Sequence, residues 1–79
     1  MNITDTKKLG EYIKKIRKAQ KLTQTDLAIA ANVGVRFLVD LENGKKTAQI
    51  GKVINVCNAL GIVIDMKSSF EKIYEVDFE

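Results

Sequence analysis

The 79-residue chain contains no histidine, no proline and only one cysteine. Zinc clusters need several Cys or His ligands, disulfide frameworks need paired cysteines, and Ser-His or Cys-His nucleophiles need an imidazole. Residue inventory therefore excludes all three, and no catalytic residue, metal site or cofactor is expected. The lone Cys57 stands among Val53, Ile54, Val56 and Leu60. That setting reads as a small buried hydrophobe, with a reactive thiol as the alternative. Long apolar runs are missing too: none approaches the roughly 20 residues that cross a bilayer, and Met1 to Lys8 is polar and charged. No membrane partner is expected, and the expected location is the cytoplasm.

Aromatic residues are few, three Phe and two Tyr, yet hydrophobic residues make up 46% of the chain. Leu, Ile, Val and Ala then supply a helical core, and disorder along most of the length is excluded. The length permits one core, complete in itself or shared with a second copy. Charge is unevenly spread. Residues 1–64 carry eleven Lys or Arg against five Asp or Glu, whereas residues 65–79 carry two against five. A basic body favours a polyanionic partner, and an acidic tail avoids one.

Spacing predicts four helices. The first runs from about Thr6 to Gln20, with Leu9, Ile13, Ile16 and Ala19 on one face and Asp5 or Thr4 as its cap. After Leu22, Thr23 stands as the N-cap of a second, two-turn helix ending at Ala31. Asn32, Val33 and Gly34 interrupt the pattern with two residues that tolerate positive φ. Phe37, Leu38 and Leu41 then mark the inward face of a third helix, which stops at Asn43-Gly44. Thr47 is the expected cap of a fourth helix with apolar positions Ile50, Val53, Ile54, Cys57 and Leu60, closed by Gly61.

From Gly61 the pattern changes. Ile62, Val63, Ile64, Asp65 and Met66 form a short β-branched run that reads as a strand. One strand is unstable alone, and nothing upstream resembles a pairing partner, so the same strand from a second copy is expected to supply it across a two-fold axis. The domain thus spans residues 1–66, followed by an acidic tail over 67–79. There Phe70, Ile73, Tyr74, Val76 and Phe78 alternate with Glu71, Glu75, Asp77 and Glu79. That alternation fits either a frayed end or a docking segment.

Two short helices joined by a tight turn containing Gly let one helix cross a DNA backbone while the next enters the major groove. The motif is sharpened by Leu22-Thr23-Gln24, Leu27-Ala28, Val33, Leu38 and Leu41-Glu42-Asn43-Gly44-Lys45, all in register. With these residues the chain resembles the phage-repressor-like helix-turn-helix family, the Xre type, over residues 9–64. Val35 to Glu42, Gly44-Lys45, Thr47-Ala48-Gln49 and the Leu60-Gly61 close resemble its antitoxin branch, which includes HipB. The resemblance implies an all-α, lambda-repressor-like domain of four to five helices with one C-terminal strand pairing across a homodimer. It also implies a transcriptional repressor of palindromic operator DNA. In the antitoxin branch the protein would also hold a HipA-type kinase toxin. A free-standing regulator without a toxin, and a protein-interaction module that no longer binds DNA, are the alternatives.

The resemblance implies residue roles as well. Gln24 contacts a phosphate, helped by Thr23 and the free N–H groups of the helix N-terminus. Val35, Arg36, Val39 and Asp40 face base edges. Arg36 matches guanine O6 and N7 as a fork, and the two valines match thymine methyl groups. Asp40 either accepts from a cytosine amine or braces Arg36 at i, i+4 spacing. Asn43, Lys45 and Lys46 lie beside the backbone. Arg17 and Glu42 form a salt bridge that orients Arg17 toward a phosphate. The chain departs from the family pattern at Gly34, where a Ser or Thr commonly caps the third helix, and at Val35, where a polar base reader is frequent. Specificity then leans on Arg36 and DNA shape.

Overall fold

Each helix begins where a polar residue holds an extended backbone or a turn frees the chain to start again. The computed structural model describes residues 2–70, and four helices are assigned among them: α1 (Thr6–Ala19), α2 (Gln24–Ala31), α3 (Val35–Glu42) and α4 (Ile50–Leu60). Asp5 caps α1, its carboxylate accepting from the Lys8 N–H at 2.7 Å. Arg17 and Lys18 occupy the last turn of α1, where cations favour the exposed carbonyls. Lys21, at φ 60°, turns the chain toward Leu22 and α2. Gly61 closes α4 in the left-handed region at φ 74°.

The core joins all four helices. Ile13 of α1 shares one buried cluster with Leu27, Ala28 and Ala31 of α2, Leu38 and Leu41 of α3, and Val53, Val56, Cys57 and Leu60 of α4. Truncating a fully buried Leu or Ile in such a core to Ala costs about 2–5 kcal/mol. Cys57 is among these buried residues, and burial pushes its thiol pKa up, so the neutral form is favoured.

Three expected assignments need correction. Ala19 is exposed, whereas Ile13 is buried and Leu9 and Ile16 pack against the core as expected, joined there by Gly10 and Arg17. Gly10 turns inward because α3 passes so close that a Cβ there would lie 2.4 Å from the Leu41 carbonyl oxygen. Thr47 does not cap α4. It lies in a turn, and Gln49 is the N-cap, with no side-chain cap hydrogen bond. The chain spends those extra residues packing Ala48 against the core. In α4, Val56 takes an inner position, whereas Ile50 and Ile54 remain exposed.

Residues 62–68 form no strand among the described residues. A strand is defined by its ladder, and a single copy offers no second edge to this segment. Its first residue is tied back, the Ile62 N–H donating to the Cys57 carbonyl at 2.9 Å. Val63 and Met66 each stand 86% exposed. Residues 69 and 70 are helical. The acidic-aromatic alternation over 71–79 lies outside the described residues.

Candidate nucleic-acid interface

The helix-turn-helix pair is built from local capping. Thr23 Oγ1 accepts from the Asp26 N–H at 3.0 Å, and the Asp26 carboxylate accepts from the Thr23 N–H at 3.1 Å, a reciprocal capping box that starts α2. The backbone hydrogen bond from Thr23 holds the Asp26 carboxyl below its usual pKa, reinforced by the Thr23 side chain. Asn32 ends α2 in the left-handed region, its N–H reaching Ala28 and Ile29 carbonyls. The Val33 N–H then bonds the Ala28 carbonyl at 3.0 Å. Gly34 is extended at φ −71°, ψ 148°, so the turn uses positive φ at Asn32 and not at Gly34. Gly34 caps α3 with no side-chain hydrogen bond, as any glycine must.

Helix α3 is divided lengthwise. Leu38, Leu41 and Glu42 are buried, while Val35 and Arg36 are exposed on the first turn and Val39 and Asp40 are half-buried. Arg36 Nε lies 3.4 Å from Asp40 Oδ1, and Lys45 Nζ lies 3.8 Å from Asp40 Oδ2. Asn43, the C-cap, and Lys45 and Lys46 beyond it are exposed. The four residues expected at base edges therefore share one helix, with Val35 and Arg36 farthest from the core.

Glu42 is the hub beneath this surface. Its Oε2 accepts from Arg17 Nε at 2.7 Å and its Oε1 from Arg17 Nη2 at 2.9 Å, a two-pronged pairing across 25 residues of chain. Arg17 Nη1 also donates to the Leu22 carbonyl at 2.9 Å, and Gln24 Nε2 donates to Glu42 Oε1 at 3.1 Å. The guanidinium is thus tied to α3 and to the entry of α2, and Arg17 is only 7% exposed. Hydrogen bonding to Glu42 raises the Arg17 pKa further above its ordinary value, against the opposing effect of burial. The hub leaves no buried side-chain N or O without a partner among the described residues. Its geometry spends one Gln24 amide donor and three of the guanidinium donors inward.

Two cations escaped sequence reasoning. Lys7 is exposed at the start of α1, and its backbone backs directly onto Gly44, where φ is +85°. Thr6 Oγ1 donates to the Gly44 carbonyl at 2.9 Å, fixing α1 against the loop that carries Lys45 and Lys46. Lys52 of α4 lies 5.6 Å over the Phe37 ring, at the other side of the same loop. Neither position is signalled locally, because tertiary packing alone brings residues 7 and 52 beside residues 43–46.

A helix-turn-helix family model matches residues 13–65 of the chain. The sequence is 50% identical over 64 residues to the "Uncharacterized HTH-type transcriptional regulator y4mF" of Sinorhizobium fredii (strain NBRC 101917 / NGR234), covering 81% of this chain and 84% of that one. It is 39% identical over 56 residues to the immunity repressor protein of Bacillus phage phi105, covering 71% of this chain and 39% of the repressor. Among solved structures, the one titled "HipB-O4 20mer complex" superposes with a TM-score of 0.80 at 16% identity, over 87% of this chain and 97% of that one. A structure titled "MDT Protein" matches with the same score, identity and coverage. At that identity the likeness is one of fold.

Proposed function

Because the chain belongs to the helix-turn-helix family, whose matching relatives are transcriptional regulators and not enzymes, we propose that it represses transcription by binding a palindromic operator as a homodimer. The observation that carries this reading is the lengthwise division of α3, which exposes Val35 and Arg36 while the acid of Glu42 is buried against Arg17. Arg36 pairs with a guanine through a forked hydrogen bond, Val35 and Val39 meet thymine methyls, and Asp40 lies at the edge of the same contact. Thr23 and Gln24 approach a phosphate at the α2 N-terminus, where free N–H groups and a partial positive charge favour an anion. Arg17 adds the guanidinium donors its inward bonds leave over. Asn43, Lys45 and Lys46 follow the backbone on the other side.

Salt dependence tests this directly. Each phosphate neutralised contributes about −0.9 to the slope of log K against log salt. In a dimer, Lys46→Ala removes two contacts and should flatten that slope by about 1.8, measured by fluorescence anisotropy on duplex DNA. Binding that does not respond to salt, or an unchanged slope, would refute the assignment.

The dimer is proposed to form through residues 62–66, the exposed Val63 and Met66 being covered when the segment pairs with its copy. The DNA-binding unit is then 1–66, and the acidic segment 67–79 serves a protein partner. Within this reading the protein is the cytoplasmic antitoxin of a toxin–antitoxin operon, holding a HipA-type kinase. The sequence resemblance to the HipB branch and the tail's acid-aromatic alternation support it. The free-standing repressor is the second reading, favoured by the 39% identity to a phage immunity repressor. Co-purification from the host distinguishes them: a kinase retained with the chain supports the antitoxin, and operator DNA alone supports the free-standing regulator. Sedimentation of a monomer at micromolar concentration would remove the dimer.

A further inference from the structure

The acid Asp40 is the anomaly of the DNA-facing surface. A carboxylate on a recognition helix repels phosphate, and here it does not help the helix either. In an α-helix the favourable order of an i, i+4 pair is acid first and base second, in line with the macrodipole. α3 has the reverse, with Arg36 in the first turn and Asp40 four residues later. It carries no acid in its first turn and no base in its last. The charges of this short helix are therefore set against its own stability.

The geometry also argues against a base contact by Asp40. Its side chain is 28% exposed, against 89% for Arg36. It lines the crevice between α3 and the start of α4, with Phe37, Lys45 and Thr47. Both carboxylate oxygens already face cations: Oδ1 is 3.4 Å from Arg36 Nε and Oδ2 is 3.8 Å from Lys45 Nζ. The Lys45 N–H also donates to the Asp40 carbonyl at 3.0 Å, which fixes the start of the loop. The approach to Arg36 is at Nε, and with its side chain 89% exposed the guanidinium has an Nη end to offer outward. That end supplies the two parallel donors that match guanine O6 and N7.

We infer that Asp40 is a positioning and specificity-determining residue: it aims the Nη end of Arg36 at a base and keeps Arg36 from settling on phosphates at non-operator DNA. This inference rests on the DNA-binding reading above. Asp40 lowers general affinity and raises discrimination, because a guanidinium without a brace binds any nearby phosphate as well as a guanine edge.

The test begins with the unsubstituted protein and a pool of random duplexes, from which a preferred duplex is selected. Affinity for the preferred and random duplexes is then measured across a potassium chloride series for the parent, Asp40→Asn, Arg36→Ala and the double variant. For Asp40→Asn, random-duplex affinity should rise and its salt slope should steepen by about 0.9 or more for each cation released. The preferred-to-random ratio should fall by about tenfold, within the range carried by one bidentate base contact. Arg36→Ala should lose the ratio by itself, with no further loss when Asp40→Asn is added. Thermal unfolding of each variant separates these effects from misfolding, since a purely structural role would change the melting temperature and leave the slope unmoved. An unchanged ratio and slope for Asp40→Asn would overturn the inference. So would a switch of preference to another base at one position, which marks direct reading by Asp40. Failure of the unsubstituted protein to bind either duplex would refute the DNA-binding reading itself, before any substitution is made.

Discussion

Alanine at position 10 sets two well-known effects against each other, and the structure decides which wins. In the middle of a helix, glycine is worse than alanine by about 0.5–1 kcal/mol, so propensity alone favours the substitution. A Cβ at Gly10, however, would lie 2.4 Å from the Leu41 carbonyl oxygen and 2.6 Å from that of Glu42, where ordinary contact begins at 3.4 Å. All the obstructing atoms belong to the α3 backbone, so no side-chain rotation relieves them and the two helices must move apart by about 1 Å. Overpacking of this kind costs about 1–3 kcal/mol, and a backbone obstacle places it at the upper end. After the gain in propensity, Gly10→Ala should lose about 2 kcal/mol net. For a domain of this size that is a fall in melting temperature of about 8–16 °C. Gly51 provides the control, because it lies in α4 and a Cβ there meets nothing within 4 Å. Gly51→Ala should stabilise by up to about 1 kcal/mol. Thermal unfolding followed by circular dichroism reads both signs, and a Gly10→Ala variant as stable as the parent would refute the close approach of α1 to α3.

Further expectations concern the hub, the caps and the thiol. Glu42→Gln leaves the Arg17 guanidinium, 8% exposed at its side chain, without its counter-charge. It should lose about 3–5 kcal/mol in urea unfolding, whereas the apolar pair Arg17→Met with Glu42→Leu should recover most of it. Gly34→Ser should gain a few tenths of a kcal/mol or more by giving α3 a side-chain cap, since the backbone is already extended there and a Cβ meets nothing. The Asp26 carboxyl is depressed in the folded state by its Thr23 hydrogen bonds. Its contribution is therefore complete above the ordinary value of 3.8 and disappears as the pH falls through the lower folded value. Melting temperatures of Asp26→Ala and the parent should differ above that window and converge below it. Cys57, buried with its pKa raised, should react with a disulfide reagent only at the rate of unfolding; rapid modification of the folded protein would contradict its burial.

The α2–turn–α3 unit was legible because its signals are local. Thr23, Asn32 and the stop at Asn43-Gly44 act on backbone groups within four residues of themselves. The inward face of α1 was legible at Leu9, Ile13 and Ile16 from their spacing, whereas the burial of Gly10 and Arg17 comes from Leu41 and Glu42, far along the chain, and only the family resemblance pointed to the Arg17–Glu42 pair. Without those partners a glycine and an arginine have no reason to count as core. Gln20 belongs to the same class: its Nε2 donates to the Leu60 carbonyl at 2.7 Å and satisfies the end of α4 from across the fold. Thr47 misled for the opposite reason, since a hydroxyl fits a turn as readily as a cap. The sequence left Asp40 between two roles. The brace proposed for it draws on Lys45, which from beyond the helix lies 3.8 Å from the second carboxylate oxygen.

The lengthwise division of α3 has an evolutionary consequence. Leu38, Leu41 and Glu42 answer to the core, while Gly34, Val35 and Arg36 lie exposed at the start of the helix. Exposed substitutions usually change stability by less than about 0.5 kcal/mol, and an exposed ion pair such as Arg36–Asp40 adds little to that. On the proposed DNA-binding reading, the outer side of this eight-residue helix can change to suit a new target sequence while the inner side holds the fold unchanged. A library randomised at positions 35 and 36 should consequently be rich in folded proteins and diverse in what they bind.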